Sequence, residues 1–313
     1  MAGNDLRAKD LADGELDRYL SAAVRAAHEA GHLIRAAFTD DAVAVRSKSP
    51  GDYVTEIDLA AEKAIRDRLC REVGTAAAFI GEECGGAAGV VDGLCWVVDP
   101  LDGTTNFVRG FPSVGVSIAL VADGEPVVAA VHAPMWGETF TAVRGHGAAR
   151  NGTPIRVAGR PAAQAVCATG FPFKMPDSFP LYLDVLTRIV RAVEDIRRPA
   201  GASLDLAWVA CGVFDAFFEL ALGPWDVAAG ALLVREAGGV VTDWHGDHNR
   251  WLTTGHVLAA SPRIHPTLLA HTRTADLPGF VTSACAPTAV DVPTTIGDAV
   301  ALVSAQMNSS INR

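Results

Sequence analysis

The chain has 313 residues, half of them hydrophobic and a fifth charged, with a formal net charge of −10. That length supports a large buried core, in one big domain or two coupled ones. The acidic balance, without any Lys/Arg run, gives no footing for a nucleic-acid partner held by phosphate neutralisation.

Leu16 to Phe38 predicts an amphipathic helix. Leu20, Val24, Ala27 and Ile34 recur at near-helical spacing, while Arg18, Arg25, Glu29 and Arg35 are placed to face water. A second helix is expected from Thr55, where Asp58 completes a capping box and Ile57, Ala61, Ile65 and Leu69 supply the apolar stripe. Ala78-Phe79-Ile80 and Leu94 to Val98 are short apolar runs that end on acidic residues, and both predict strands. Val114 to Val121 predicts a strand, Asp123-Gly124 its turn, and Pro126 to His132 the hairpin partner. Thr139 to Val143 is expected to pair with a strand around Ile155-Arg156-Val157, with Asn151-Gly152 as a further turn. To about residue 157 the pattern is an antiparallel sheet flanked by helices.

The second half reads differently. Phe179 to Val193 and Leu204 to Cys211 predict helices, and Phe214 to Glu219 a strand. Val227 to Ala237 predicts a helix closed by Gly238-Gly239, followed by strands at Val240 to Thr242 and Val257 to Ala260. The expected organisation is an N-terminal α+β half over residues 1–157 and a C-terminal α/β half over 158–272. Residues 273–313, rich in Ala, Thr, Pro and Val, form a loosely attached extension in which Ile296 to Met307 has the spacing of a short docking helix.

Six cysteines, at 70, 84, 95, 167, 211 and 285, form no C-x-x-C pair and match no zinc spacing. Scattered thiols of this kind suit a reducing cytoplasm, which is the expected location. The first thirty residues carry no apolar h-region and no run of 18 apolar residues occurs, so neither a secretory signal nor a membrane span is expected. Phosphate loops of the G-x-x-x-x-G-K-[ST] or G-x-G-x-x-G type are absent, which disfavours a nucleotide hydrolase or a dinucleotide enzyme. His245 and His248 flank Gly246-Asp247 and read as a solvated loop, and Trp208 and Trp251 as core or interface aromatics.

The chemistry concentrates in Trp96-Val97-Val98-Asp99-Pro100-Leu101-Asp102-Gly103-Thr104-Thr105-Asn106-Phe107. An apolar strand delivers Asp99 at its end, and Pro100, which cannot continue a ladder, forces the backbone to turn. Asp102 then projects close to Asp99, and Gly103-Thr104-Thr105 opens a short helix. Two carboxylates beside free N–H groups make a place for hard cations together with a phosphate. Taken alone, the same segment is also satisfied by an Asp-Gly turn with Asp102 as a cap. Three more acid groups lie at strand ends or helix starts: Glu82-Glu83 after Phe79-Ile80, Asp226 after Trp225, and Asp52 in the turn before Thr55. Each has an ordinary alternative, as a turn, an N-cap or a solvated loop acid.

Together these residues resemble the inositol monophosphatase family, within the lithium-sensitive, Mg²⁺-dependent sugar phosphatases. The resemblance spans about residues 15–270. It rests on Gly81-Glu82-Glu83, on Asp99 to Phe107, on Trp225-Asp226-Val227-Ala228-Ala229-Gly230 leading to Glu236-Ala237-Gly238-Gly239, and on Lys48-Ser49-Pro50 with Asp52, Val54-Thr55 and Asp58. It implies the layered α-β-α-β-α sandwich of that family, an α/β (α+β) fold with the site in the cleft between the halves, and a homodimer.

The resemblance also implies roles. Glu82, Asp99 and the carbonyl of Leu101 hold a first Mg²⁺, and Asp99, Asp102 and Asp226 a second, with a weaker third ion near Glu82. Asp102, Gly103, Thr104 and Thr105 bind the phosphate; Thr104, helped by Asp52, orients the attacking water, with Glu82 in the same catalytic set and Glu83 supporting the metals. Ala200, Gly201, Ala202, Glu219 and Asp226 contact the substrate, although Ala200 stands at the usual first glycine and Arg109 where a His is common. The implied activity is hydrolysis of a phosphate monoester of inositol, or of histidinol phosphate, fructose 1,6-bisphosphate or a biosynthetic sugar phosphate. The alternative of another class is a phosphatase-shaped binding protein without activity. The expected partner is a small phosphorylated alcohol or sugar, with no nucleic acid and no membrane.

Overall fold

The structure is a computed structural model, and it describes residues 11–38, 43–49, 52–83, 85, 93–173, 175–199 and 201–273, with only the backbone described at 47–49 and 52. The side chain of Asp52, together with Cys84, Ala200 and the proposed docking helix at Ile296 to Met307, lies outside the described residues.

In chain order the elements are α1 (Asp13–Ala37), β1 (Val45–Ser49), β2 (Asp52–Thr55), α2 (Glu56–Val73), β3 (Ala78–Gly81), β4 (Leu94–Asp102), α3 (Thr104–Val108), β5 (Gly115–Ala122), β6 (Glu125–Ala133), β7 (Glu138–Val143), β8 (Gly147–Arg150) and β9 (Thr153–Pro154). The second half adds β10 (Val166–Thr169), α4 (Phe179–Val190), β11 (Asp195–Arg197), α5 (Ala202–Ala210), β12 (Ala216–Glu219), α6 (Pro224–Glu236), β13 (Val240–Thr242), α7 (Trp251–Thr254), β14 (Val257–Ala260) and α8 (His265–Thr272).

A seven-stranded sheet runs in order β3 to β9, parallel only between β3 and β4, and a five-stranded sheet runs β11-β10-β12-β14-β13. Helices α1 and α2 cover the outer face of the first sheet through Ala23, Ala27, Ile34, Ile65 and Leu69. Helices α5 and α6 lie between the sheets, where Leu204, Leu206, Leu232 and Leu233 join side chains from both. Tyr182 and Ile189 of α4 and Leu268 of α8 close the outer face of the second sheet. The order of layers is therefore α-β-α-β-α, as expected. Strands β4 and β5 are buried along their whole length, which is why they read as unbroken apolar runs without alternation.

Local signals act where they were read. Thr55 caps α2, accepting from the N–H groups of Ile57 and Asp58, while Asp58 accepts from the Thr55 N–H at 2.8 Å. Asp123 and Gly124 both take positive φ, 51° and 80°, the geometry a two-residue hairpin requires between β5 and β6.

Three expectations are corrected. The partner of β7 is β8, and Ile155 to Val157 lies beyond β9, tied by the Ile155 N–H to the Ala148 carbonyl. Asn151-Gly152 turns β8 into β9. Helix α6 begins at Pro224, so Asp226 sits inside its first turn instead of before it.

Candidate metal and phosphate site

Pro100 does not end β4. Asp99 pairs with Ser117 and Asp102 with Gly115, so three steps on β4 oppose two on β5. The extra residue is a bulge at Pro100-Leu101, where the missing proline N–H does no harm. Residues three apart on a regular strand face opposite sides; one inserted residue returns Asp99 and Asp102 to the same side. The Leu101 N–H donates to Asp99 Oδ1 at 3.0 Å and fixes the bulge.

Asp226 arrives from the far side of the cleft. Its Oδ2 accepts from the Gly223 N–H at 2.6 Å in the first turn of α6, and Ser117 Oγ donates to the Trp225 carbonyl at 3.0 Å. The result is that Asp99, Asp102 and Asp226 bring one carboxylate oxygen each within 4.8 Å of one another, all three buried at 8% exposure or less. Burial holds the Asp99 carboxyl well above the usual carboxylate range, and Glu82, Asp102, Asp226 and Asp58 add to the shift. Buried like charges in such proximity are unfavourable unless a cation lies between them. A donor set made only of oxygen fits a hard divalent ion of the Mg²⁺ kind.

Glu82 is near enough to act on Asp99 but stands outside the cluster of three. It follows β3, its N–H bonded to the Val98 carbonyl at 3.2 Å. The next N–H, of Glu83, is held at 2.9 Å by Oε2 of Glu62, a side chain of α2 with no exposure. A Cβ at Gly81 would come within 2.2 Å of that same oxygen, so only glycine lets β3 approach α2 this closely.

Thr104 opens α3 after Gly103, which takes φ 92°. The first turn leaves the N–H groups of Gly103, Thr104 and Thr105 without intrahelical acceptors. The Thr104 hydroxyl is 3.0 Å from Oδ1 of Asp58 and 3.2 Å from the Leu101 carbonyl. Its carboxylate partner among the described side chains is therefore Asp58.

On the substrate side, Gly201 takes φ 151° at the start of α5. From the next residues, the Ser203 N–H and hydroxyl both donate to Asp102 Oδ2, at 2.8 and 2.5 Å. Glu219 ends β12, its carboxylate packed so closely on Gly170 that a Cβ there would lie 2.1 Å from Oε1. Asp205 of α5 is 1% exposed, and its Oδ1 has no hydrogen-bond partner. Burial, then Glu219 and Asp102, pushes its carboxyl well up.

Sequence reasoning missed Asp58 as the partner of Thr104, and Glu62, Ser203 and Asp205 altogether. Asp58 and Glu62 had a visible signal: two acids spaced i, i+4 on α2, flanking the stripe Ile57, Ala61, Ile65. Ser203 and Asp205 had none.

The sequence pattern of the inositol monophosphatase family matches residues 15–277, and the chain belongs to that family. It is 45% identical over 256 residues to the Nus factor SuhB of Escherichia coli, covering 81% of this chain and 95% of that protein. The crystal structure of the extragenic suppressor protein suhB from Bartonella henselae matches with a TM-score of 0.76 at 38% identity, over 81% of this chain and 97% of that one. The inositol monophosphatase of Anabaena matches with a TM-score of 0.73 at 29% identity, over 85% and 98%.

Proposed function

We propose that this chain is a Mg²⁺-dependent phosphoric monoester hydrolase that acts on an inositol monophosphate or on another small phosphorylated alcohol or sugar in the cytoplasm. One observation carries the reading: three buried aspartates from β4 and α6 share a space of 4.8 Å beside the Thr104–Asp58 hydrogen bond.

In this reading Glu82, Asp99 and the Leu101 carbonyl hold one Mg²⁺, Asp99, Asp102 and Asp226 a second, and a weaker third ion lies near Glu82. When bound, the ions neutralise the phosphate and make a water acidic enough to supply hydroxide at neutral pH. The N–H groups of Gly103, Thr104 and Thr105 accept phosphate oxygens and fix the phosphorus in line with the attack. Thr104 Oγ accepts a proton from the attacking water as its own hydroxyl proton leans on Asp58, so the pair works as a short relay. The new bond joins water oxygen to phosphorus, the ester P–O bond breaks, and the alcohol leaves with a proton. Glu83 and Glu62 keep Glu82 in place from behind. Glu219, with the segment at Gly201-Ala202, takes substrate hydroxyls. Asp52 remains a proposed helper of Thr104, and a homodimer is part of the proposal from family membership.

The Nus factor name of the relatives favours a second reading, in which the chain serves as a binding protein. A panel of phosphate monoesters, assayed for phosphate release with Mg²⁺ and with a chelator, separates the two. The first reading expects Mg²⁺-dependent release from a polyol phosphate. No release from any member of the panel overturns it.

A further inference from the structure

A cavity of about 330 Å³ lies between the end of α2, the turn that follows it and the edge pair β3–β4, and no residue assigned above to metal or substrate lines it. Leu69, Ala77 and Phe79 make part of its wall apolar. Arg66 and Trp96 also line it, and each carries a buried nitrogen, Nε and Nε1, that has no hydrogen-bond partner. The two are close neighbours: Phe79 pairs with Trp96 across the parallel strands, and the Arg66 guanidinium lies over the Phe79 ring, 4.4 Å from its centroid. The other end of the guanidinium is anchored, with Nη2 3.6 Å from Glu62 Oε1. Trp96 itself is 2% exposed.

Buried donors of this kind are normally satisfied, so the pair implies a partner. An indole N–H and a guanidinium N–H only donate, and one of them is cationic. Their complement is an anionic acceptor without donors of its own, and the apolar wall asks for a hydrocarbon body. The volume stands at the lower end of small-molecule sites, which limits that body to one ring or a short branch. We propose that this cavity binds a small aromatic or branched aliphatic carboxylate. Its oxygens accept from Arg66 Nε–H and Trp96 Nε1–H, and its body packs on Leu69, Ala77 and Phe79.

The test titrates benzoate into the full chain carrying isotope-labelled tryptophan and follows the indole N–H signals by NMR, the Trp96 signal being the one lost in Trp96→Phe. That signal moves saturably, with half-saturation at about 1 mM for a ligand of this size. Cys70, an exposed thiol in the same wall, is read in parallel by peptide mass after alkylation. Saturating benzoate slows its alkylation roughly fivefold by occupying the space beside it. Arg66→Gln, at a half-exposed helix position, weakens benzoate roughly tenfold because a charge-assisted bond is lost. Its thermal melt checks that the fold is kept. A Trp96 signal that stays still to about 20 mM overturns the site. So does a Cys70 that is not protected, or binding undiminished in Arg66→Gln; the donors then belong to water. Neither readout uses phosphatase activity, so the site stands or falls apart from the proposed function.

Discussion

The Thr104 hydroxyl donates to Asp58 at 3.0 Å, across 46 residues of sequence, and the same carboxylate caps the start of α2 through its other oxygen. One side chain thus ties the helix that carries Glu62 to the loop that presents the phosphate-facing N–H groups.

Asp58→Asn separates the two duties. The amide keeps an oxygen for the cap, so the fold is retained with a loss of about 1 kcal/mol. As the proposed end of the proton relay, however, Asp58 cannot be replaced by a neutral amide. Phosphate release falls by roughly 10²–10⁴-fold in kcat, with KM changed little. Asp52→Asn, made alongside, gives the smaller loss if Asp58 is the partner that matters. Equal rates for Asp58→Asn and the parent would remove the relay from the mechanism.

Asp99 is the most crowded of the acids, buried with Glu82, Asp102, Asp226 and Asp58 around it. Asp99→Asn removes one like charge from that group, so the metal-free variant melts at least about 3 °C above the metal-free parent at neutral pH. The same change removes the shared ligand. Mg²⁺ then raises the melting temperature of the parent but not of the variant, and turnover is abolished. A variant that is stabilised by Mg²⁺ as the parent is would show that Asp99 is not the bridge.

What the sequence made legible was local. The Thr55–Asp58 cap, the Asp123-Gly124 hairpin and the Gly238 stop each depend on residues within four of one another, and each forms as read. The family motifs located Asp99, Asp102 and Asp226, which the fold brings together. The bulge at Pro100 stayed hidden, because it exists only in the register of β4 against β5. The second strand of the β7 hairpin was missed because Gly147-Ala148-Ala149-Arg150 has little strand propensity of its own and pairs by tertiary context. Asp58 looked fully explained by its cap, and the contact of its other oxygen with Thr104 is long-range. Ser203 and Asp205 belong to a helix that reads simply as apolar, and only packing turns them toward the acids.

Between α1 and β6, His132 stacks on His28 at 4.5 Å between ring centroids and hydrogen-bonds through Nδ1 to Thr139 Oγ1 at 3.0 Å. Burial, helped by His28, His32 and Arg35, lowers its pKa from 6.5 to about 4, with the Glu138 carbonyl opposing. A histidine depressed in the folded state takes up its proton more readily when unfolded. Stability is therefore complete above pH 6.5 and is lost as the pH falls towards about 4. His265, lowered to about 4 by burial and His248, acts in the same window. His132→Asn leaves only the second of these. Urea midpoints measured through the window fall less steeply in the variant than in the parent; parallel slopes would mean that His132 titrates normally.

Ser203 offers the most selective test of the metal site. It gives two hydrogen bonds to one oxygen of Asp102, from its N–H at 2.8 Å and from its hydroxyl at 2.5 Å. Oδ2 is thereby committed to α5, and Oδ1 is the oxygen left to a cation. Ser203→Ala removes the hydroxyl and keeps the N–H, so Asp102 loses half of its anchorage while α5 and the core around Leu204 are untouched. Supporting groups behind metal ligands are typically worth 10–100-fold in affinity. The half-saturation for Mg²⁺, read by calorimetry and by the activation of phosphate release, rises by about tenfold, and kcat at saturating Mg²⁺ falls much less. Ser203→Thr restores the hydroxyl and with it most of the affinity, provided the added methyl fits beside Gly115, where a Cβ would already lie 3.0 Å from Ser203 Oγ. A Mg²⁺ dependence unchanged in Ser203→Ala would place the orientation of Asp102 in the backbone alone.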